Sequence, residues 1–367
     1  TDIYYQRCLA STSCDEDGDW STAVEIDQDS GTDAHYNATL YHVSDSRIWV
    51  TWTEDFGVNP DDTIHIGYID TTSSYPHSLS NHCETVDQGA IVAGLFPYIA
   101  AGTNDDVLVG YSSLGNTNTI SDIWQVESGG CTFTTIEASS GVETTAADLG
   151  IGVVAKGNVV HMIYEDNVTN DLRHSVFDLT DGTDAWASTD NDVDGADNID
   201  EAERFAITTD GTDIWVLAQD GTSAVDFFRC SNCPTSSPTW TTTDAIPWSS
   251  ETNLNEVSLS YVSGTNKLAA FAIMDTSEQV YTIDTDADTI SWGTEYSMSY
   301  TAGTLETLSS PKVVSSEDHL ATVTWQNDAT DPYRFSTVPE NYWVLYLLIP
   351  FLPILLPKIR NLGRQKR

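Results

Sequence analysis

The chain has 367 residues, enough for one large domain or two modest ones with a sizeable core. Its 14 Lys+Arg against 56 Asp+Glu leave a net charge of −42, which excludes a nucleic-acid binder built on a basic face, because phosphate contacts need clustered cations. The 40% hydrophobic and 10% aromatic content excludes a disordered acidic chain, which would be poor in both.

In chain order, Thr1-Asp2-Ile3-Tyr4 shows neither the charged nor the apolar stretch of a signal peptide. Ile3–Arg7 reads as a strand. A β-rich run ending in an aromatic or apolar residue then recurs, at Ile48–Trp52, Val107–Tyr111, Val159–Tyr164, Ile214–Ala218, Leu268–Ile273 and Leu320–Trp325. Successive run ends lie 59, 53, 54, 55 and 52 residues apart. A second marker, Trp or Phe opening a short Thr/Ser-rich strand, appears at Trp20, Phe133, Trp186, Trp240 and Trp292. From Phe133 onward it follows the first marker by 22, 22, 22 and 19 residues. Two markers keeping step define a repeat of roughly 53 residues.

The cleanest copy reads as four strands: Val257–Val262, Lys267–Ile273, Gln279–Asp284 and Ile290–Tyr296, with turn residues between them. Four short strands per unit predict an all-β fold, a β-propeller of six or seven four-stranded blades, whose radial packing protects sheet edges. No sustained 3.6-residue apolar period supports a helical solenoid. A row of sandwiches would need about 100 residues and seven strands per domain. Stepping back 22 residues from Trp20 passes residue 1, so the chain is expected to start inside a blade with upstream residues missing. The alternative is that Trp20–Ile26 completes the last blade.

Asp190-Asn191-Asp192-Val193-Asp194-Gly195-Ala196-Asp197-Asn198-Ile199-Asp200-Glu201 fits the calcium-loop spacing D-x-D-x-D-G-x5-E. A hard cation takes six to eight oxygens. Asp190, Asp192 and Asp194 would supply carboxylates, Ala196 its carbonyl and Glu201 a closing bidentate carboxylate, with Gly195 at the sharp turn. Ca2+ is therefore the expected cofactor, in a loop without flanking helices. The bland alternative is a solvated acidic linker. Asp15, Asp17 and Asp19 form a shorter candidate.

Six cysteines, Cys8, Cys14, Cys83, Cys131, Cys230 and Cys233, form an even set suited to disulfides outside the cell. Cys8–Cys14 and Cys230–Cys233 are plausible hairpin staples, leaving Cys83 with Cys131. A redox or zinc reading of Cys230-Ser231-Asn232-Cys233 lacks both a surrounding βαβ unit and a second close cysteine pair. The eight histidines lie scattered, without ligand spacing.

At the C-terminus, Tyr342–Pro357 is an uncharged apolar run, followed by Lys358, Arg360, Arg364, Lys366 and Arg367. Setting aside these five cations and Glu340 leaves 9 cations and 55 acids before Pro339, a net of −46. A basic cluster beside an apolar run marks the cytoplasmic side, which places the acidic body outside. Sixteen residues reach only about 24 Å as a helix, short of a roughly 30 Å hydrocarbon core. Val338-Pro339-Glu340, the apolar run and the basic tail together resemble a prokaryotic sorting signal of the PEP-CTERM type, with Asn341 where a second proline usually stands. The resemblance implies processing by an exosortase-like transpeptidase. A plain single-pass anchor is the alternative. The expected division is an ectodomain over residues 1–338 and a sorting signal, or short membrane helix, over 339–367.

Ser13, Asp15, Gly18 and Trp20 resemble the hairpin box of the sialidase-type propeller superfamily with BNR (Asp-box) repeats; other copies keep chiefly the Trp. In that family the boxes are structural and lie away from the active centre. Sialidase chemistry there needs three arginines converging on a carboxylate, whereas the body holds Arg7, Arg47, Arg173, Arg204, Arg229 and Arg334, of which Arg7, Arg173 and Arg229 fall on third strands where salt bridging is the simpler role. The expectation is a non-catalytic, surface-anchored propeller that binds an extracellular glycan or protein, stiffened by calcium. The alternatives are a sialidase-like hydrolase and a structural subunit of a surface layer or filament. No nucleic acid is expected as a partner.

Overall fold

A computed structural model describes the strands within residues 3–338 and the tight turns joining some of them. Residues 6–20, 27–33, 56–62, 85–97, 137–150, 196–204, 244–253, 299–311, 326–333 and 339–367, with several shorter stretches, lie outside the described residues. Every element among the described residues is a strand, and no helix among them is long and apolar enough to cross a membrane.

The strands pair with their sequence neighbours. β1 (Tyr4–Tyr5) pairs with β2 (Val24–Glu25). A four-stranded sheet follows: β3 (Ala34–Ser44), β4 (Arg47–Asp55), β5 (Thr63–Asp70) and β6 (Leu79–Glu84). The next comprises β7 (Tyr98–Ala101), β8 (Val107–Leu114), β9 (Ile120–Glu127) and β10 (Phe133–Ile136). Then come β11 (Ile151–Lys156), β12 (Val159–Asp166), β13 (Asp171–Asp178) and β14 (Ala185–Asp192). The same pattern repeats in β15 (Phe205–Thr209), β16 (Ile214–Asp220), β17 (Ala224–Cys230) and β18 (Thr241–Thr243). It repeats again in β19 (Leu254–Val262), β20 (Lys267–Met274), β21 (Gln279–Asp286) and β22 (Tyr296–Met298). β23 (Lys312–Ser316), β24 (His319–Trp325) and β25 (Arg334–Val338) form a three-stranded sheet.

The periodic runs of the sequence are the second strands β4, β8, β12, β16, β20 and β24. Phe133, Trp186, Trp240 and Trp292 fall in, or shortly before, the fourth strands β10, β14, β18 and β22. First strands touch in series, β3 to β7, β7 to β11, β11 to β15, β15 to β19 and β19 to β23, so the sheets stack face to face from an inner strand outward. Both faces are therefore buried. Trp215, Leu217, Val225 and Phe227 on one sheet meet Val257, Leu259, Leu268 and Ala270 on the next, and each large buried side chain contributes about 1.5–3 kcal/mol. β-branched and aromatic residues dominate because they suit a pleated surface covered by a neighbour.

Three of the sheets share a hydrogen-bonded closure at the end that carries the turn between their first two strands. Leu179, Cys233 and Ala287 each donate a backbone N–H to a carbonyl of the first hairpin of their own sheet: Asn158, Thr212 and Asn266. Asp70, Asp178 and Asp286 end third strands, and each accepts a backbone N–H two residues on, from Thr72, Thr180 and Asp288. In the sheet β15–β18 the third strand ends at Cys230 instead, and the Cys230–Cys233 disulfide occupies that turn.

One expected boundary shifts. The fourth strand of the cleanest repeat is Tyr296–Met298, not Ile290–Tyr296. The intervening segment is held off the ladder: Ser291 N–H donates to Thr285 Oγ1 and Gly293 N–H to the Asp284 carbonyl. Trp292 meanwhile packs edge-on against Phe227 of the preceding sheet, with ring centroids 5.2 Å apart.

Candidate functional site

Two histidine clusters lie between sheets, neither evident from residue spacing. The first is on the face of β4–β6 that carries Trp52. Alternation along β4 puts Trp52 and Glu54 on one face, and the β4–β5 register sets His65 opposite Trp52. His65 Nε2 lies 2.5 Å from Glu54 Oε2 and His65 Nδ1 lies 2.8 Å from His82 Nε2. Trp52 stacks on both imidazoles, at 5.2 and 5.6 Å between centroids. Glu54 and His65 are buried and His82 is half-buried. A carboxylate–imidazole–imidazole chain of this kind orients the middle ring and gives a proton a hydrogen-bonded route toward the outer one. On the same face, Ile3 and Tyr5 pack with Val50, Trp52, Ile69 and Leu79.

The second cluster lies between β11–β14 and β15–β18. The β12–β13 register pairs His161 with Val176 and Ile163 with His174, so the two histidines are diagonal neighbours on one face. His161 Nδ1 and His174 Nε2 are 3.0 Å apart, and both residues are fully buried. Opposite them lie Cys230 and Cys233, packed with Val154, Ile214, Ile207 and Trp240. Trp240 meets His174 edge-on at 5.2 Å. Burial, reinforced by the Lys156 cation, lowers the His161 pKa to about 4. Burial and the neighbouring His161 hold His174 well below the usual imidazole range. Both rings are neutral at physiological pH. Two neutral imidazoles sharing one hydrogen bond leave two nitrogens over, and His161 Nε2 and His174 Nδ1 are buried without a partner. Each unmet buried polar group costs about 1–3 kcal/mol. One nitrogen from each ring and Cys233 Sγ lie within 4.8 Å of one another.

Of the expected calcium loop, Asp190 lies within β14 and Asp192 ends it, and Ala196 and Glu201 lie outside the described residues. Gly195 has φ of 77°, the left-handed geometry a sharp turn requires. Its N–H donates to Asp192 Oδ1 at 2.8 Å. Asp194 is buried, and its Oδ2 accepts the Leu172 N–H at 3.2 Å. Asp15, Asp17 and Asp19 lie outside the described residues, as do Cys8, Cys14 and Cys131. Cys83 is buried and disulfide-bonded. The Cys230–Cys233 staple is formed as the sequence predicts. Val338 ends β25, while Pro339, Glu340 and the tail lie outside the described residues.

Three arginines are described with their partners. Arg47 on β4 lies over the Tyr68 ring at 4.6 Å. Arg173 on β13 pairs with Asp171. Arg229 on β17 donates through Nε and Nη2 to Asp213 Oδ2, at 2.9 and 2.5 Å. Salt bridging of Arg173 and Arg229 on third strands is as the sequence predicts.

No protein-family model matches the chain, and no curated protein sequence does either. Solved structures do. The chain is similar to the K499G mutant of NanB sialidase from Streptococcus pneumoniae, at 10% identity and a TM-score of 0.52, over 83% of this chain and 67% of that one. It is similar to AofleA from Arthrobotrys oligospora, at 11% identity and a TM-score of 0.51, over 84% and 89%. The Hadza microbial sialidase Hz136 matches at 11% identity and a TM-score of 0.48, over 84% of this chain and 66% of its own length. The chain thus spans about two thirds of the sialidases it matches, and its fold is a sialidase-like β-propeller.

Proposed function

We propose that this chain is a non-catalytic β-propeller that binds a glycan at the cell surface. The fold it shares with a sialidase supports a glycan ligand. The observation that carries the non-catalytic half is the engagement of the arginines. Arg47, Arg173 and Arg229 sit on three different sheets, each engaged with a neighbour on its own sheet. A three-arginine carboxylate clamp would then have to draw on all of Arg7, Arg204 and Arg334. The decisive experiment measures binding of the purified protein to a glycan array beside turnover of a fluorogenic sialoside. Glycan binding with no turnover supports the reading, and sustained release of the fluorophore refutes it.

The reading takes the ring as six blades, or seven with β1–β2 as part of a further blade. The packing of Ile3 and Tyr5 on the Trp52 face supports a neighbour at that position. It takes residues 1–338 as the ectodomain and 339–367 as a sorting signal or anchor read by an exosortase-like enzyme, with the basic tail cytoplasmic. Protease treatment of intact cells tests the location: the acidic body is released from the outside, or the proposal fails. Calcium is proposed at Asp190, Asp192, Asp194, Ala196 and Glu201, supported by the left-handed turn at Gly195.

A further inference from the structure

We infer that Cys230 and Cys233, when reduced, form with His161 and His174 a buried four-ligand site for a zinc-class divalent metal, so that the same cysteine pair has two exclusive states, staple and metal ligand.

The sequence offers a C-x2-C pair with no second pair nearby; the fold supplies the second pair from another sheet. His161 and His174 come from β12 and β13, and the cysteines from the end of β17 and the turn after it. The ligand set is two imidazoles and two thiols, a common composition of structural zinc sites. The spacing suits it. A zinc ion bonded to two nitrogens at about 2.0–2.1 Å holds them about 3.3 Å apart in a tetrahedron. His161 Nδ1 and His174 Nε2 are 3.0 Å apart. Cys233 Sγ and one nitrogen of each ring lie within 4.8 Å of one another, and Cys230 Sγ, bonded to Cys233 Sγ in the disulfide, is the fourth ligand once that bond is broken.

Charge balance selects the reduced state. His161, His174 and Cys230 are fully buried and Cys233 is 2% exposed, so the pocket does not tolerate a net charge. A divalent ion beside an intact disulfide and two neutral rings would carry its whole charge uncompensated. The same ion with two thiolates is neutral. Lys156 donates to the carbonyls of Thr212 and Cys233 at the rim, placing a cation where it favours the thiolate form.

The chemistry balances with an external dithiol. The dithiol passes two electrons and two protons to the Cys230–Cys233 bond and becomes a disulfide itself, leaving two thiols. The entering metal displaces both thiol protons to solvent and bonds two sulfurs and two nitrogens. An external disulfide reverses the sequence: it takes two electrons and two protons to become two thiols, the Cys230–Cys233 bond re-forms, and the ion leaves.

The test uses the full chain reduced with dithiothreitol, desalted without oxygen and titrated with Co2+, whose absorption distinguishes thiolate ligation. Wild type is expected to bind Co2+ with a sulfur-to-cobalt charge-transfer band, and Zn2+ is expected to abolish that band by displacement. The oxidised protein shows no band. Replacing both cysteines, Cys230→Ser with Cys233→Ser, removes the band, and His174→Gln weakens cobalt binding by more than about tenfold, the least that loss of even an outer partner costs. Thermal melts of oxidised His174→Gln check that the variant folds. If it does not, His161→Gln takes its place. The inference is overturned by a reduced wild type with no thiolate band, by a band that survives replacement of both Cys230 and Cys233 by serine, or by a fold lost on reduction that zinc does not restore.

Discussion

Asp213 gives the sharpest test of how an excess of acid coexists with a stable fold. In a chain carrying −42, neutralising an average surface carboxylate relieves repulsion and stabilises slightly. Asp213→Asn should do the opposite. Asp213 Oδ2 accepts from Arg229 Nε and Nη2, and Oδ1 accepts the Asn232 N–H at 2.7 Å. The two side chains are 9% and 22% exposed. Exposed pairs contribute about 0–1 kcal/mol, whereas breaking a buried pair costs about 3–5 kcal/mol. This pair lies between those limits, and asparagine keeps an oxygen for Asn232, so the expected loss is about 2 kcal/mol. Arg229 also donates to the Asp288 carbonyl of the next sheet and lies 5.9 Å from the Trp215 ring, so the weakening spreads across a blade interface. The assay is equilibrium urea unfolding followed by tryptophan fluorescence at fixed salt, with the exposed Glu25→Gln as the control for bulk charge. The expected order is Glu25→Gln at or slightly above wild type and Asp213→Asn well below it. An Asp213→Asn protein as stable as wild type would refute the local account and leave bulk repulsion as the governing term.

Other expectations follow from particular contacts. Gly67→Ala should destabilise by about 1–3 kcal/mol in the same urea assay, because an added Cβ would lie 2.8 Å from Leu79 Cδ1 in a packed interface. Burial raises the Tyr41 pKa above 10, against the lowering effect of its hydrogen bond from Ala155 N–H. The folded state therefore resists Tyr41 ionisation: its contribution is complete below pH 10 and is lost as pH rises through the higher folded value. Stability of wild type should fall more steeply than that of Tyr41→Phe above pH 10, by up to about 1.4 kcal/mol per pH unit for one proton; parallel curves would contradict this. Calcium at about a hundred times its dissociation constant should stabilise wild type by roughly 2.7 kcal/mol. Thermal melts of Asp192→Ala and Asp194→Ala should lose that gain, and a wild type unmoved by calcium would remove the loop from the proposal.

The blade repeat was legible because it is enforced at every copy. A second strand covered on both faces must carry β-branched and aromatic residues wherever it recurs, as Trp52, Tyr164 and Trp215 do at 1% exposure. The turn aspartates were less legible. Asp70, Asp178 and Asp286 perform one task at equivalent strand ends, but among so many acids they carry no compositional signal. At the same place in β17 the residue is Cys230, so the disulfide stands in for a side-chain cap. That substitution links the staple of the sequence to the geometry of its neighbours.

The histidine clusters were hidden for a different reason. His161 and His174 are 13 residues apart, and Glu54, His65 and His82 are spread over 28, which resembles no ligand motif read along a chain. Strand register converts those separations into contacts. The hairpin pairs Asp166 with Asp171, so His161 falls opposite Val176 and diagonal to His174. A period-2 pattern then puts both on one face. The signal was present, but it required the register of a hairpin rather than the spacing of residues. The contact with Cys233 needed one step more, since it crosses from one sheet to the next and depends on blades of equal pitch. Sites of this kind become readable only after the repeat is placed in space, which is why a scattered set of histidines in a repeat protein is better compared by blade position than by sequence distance.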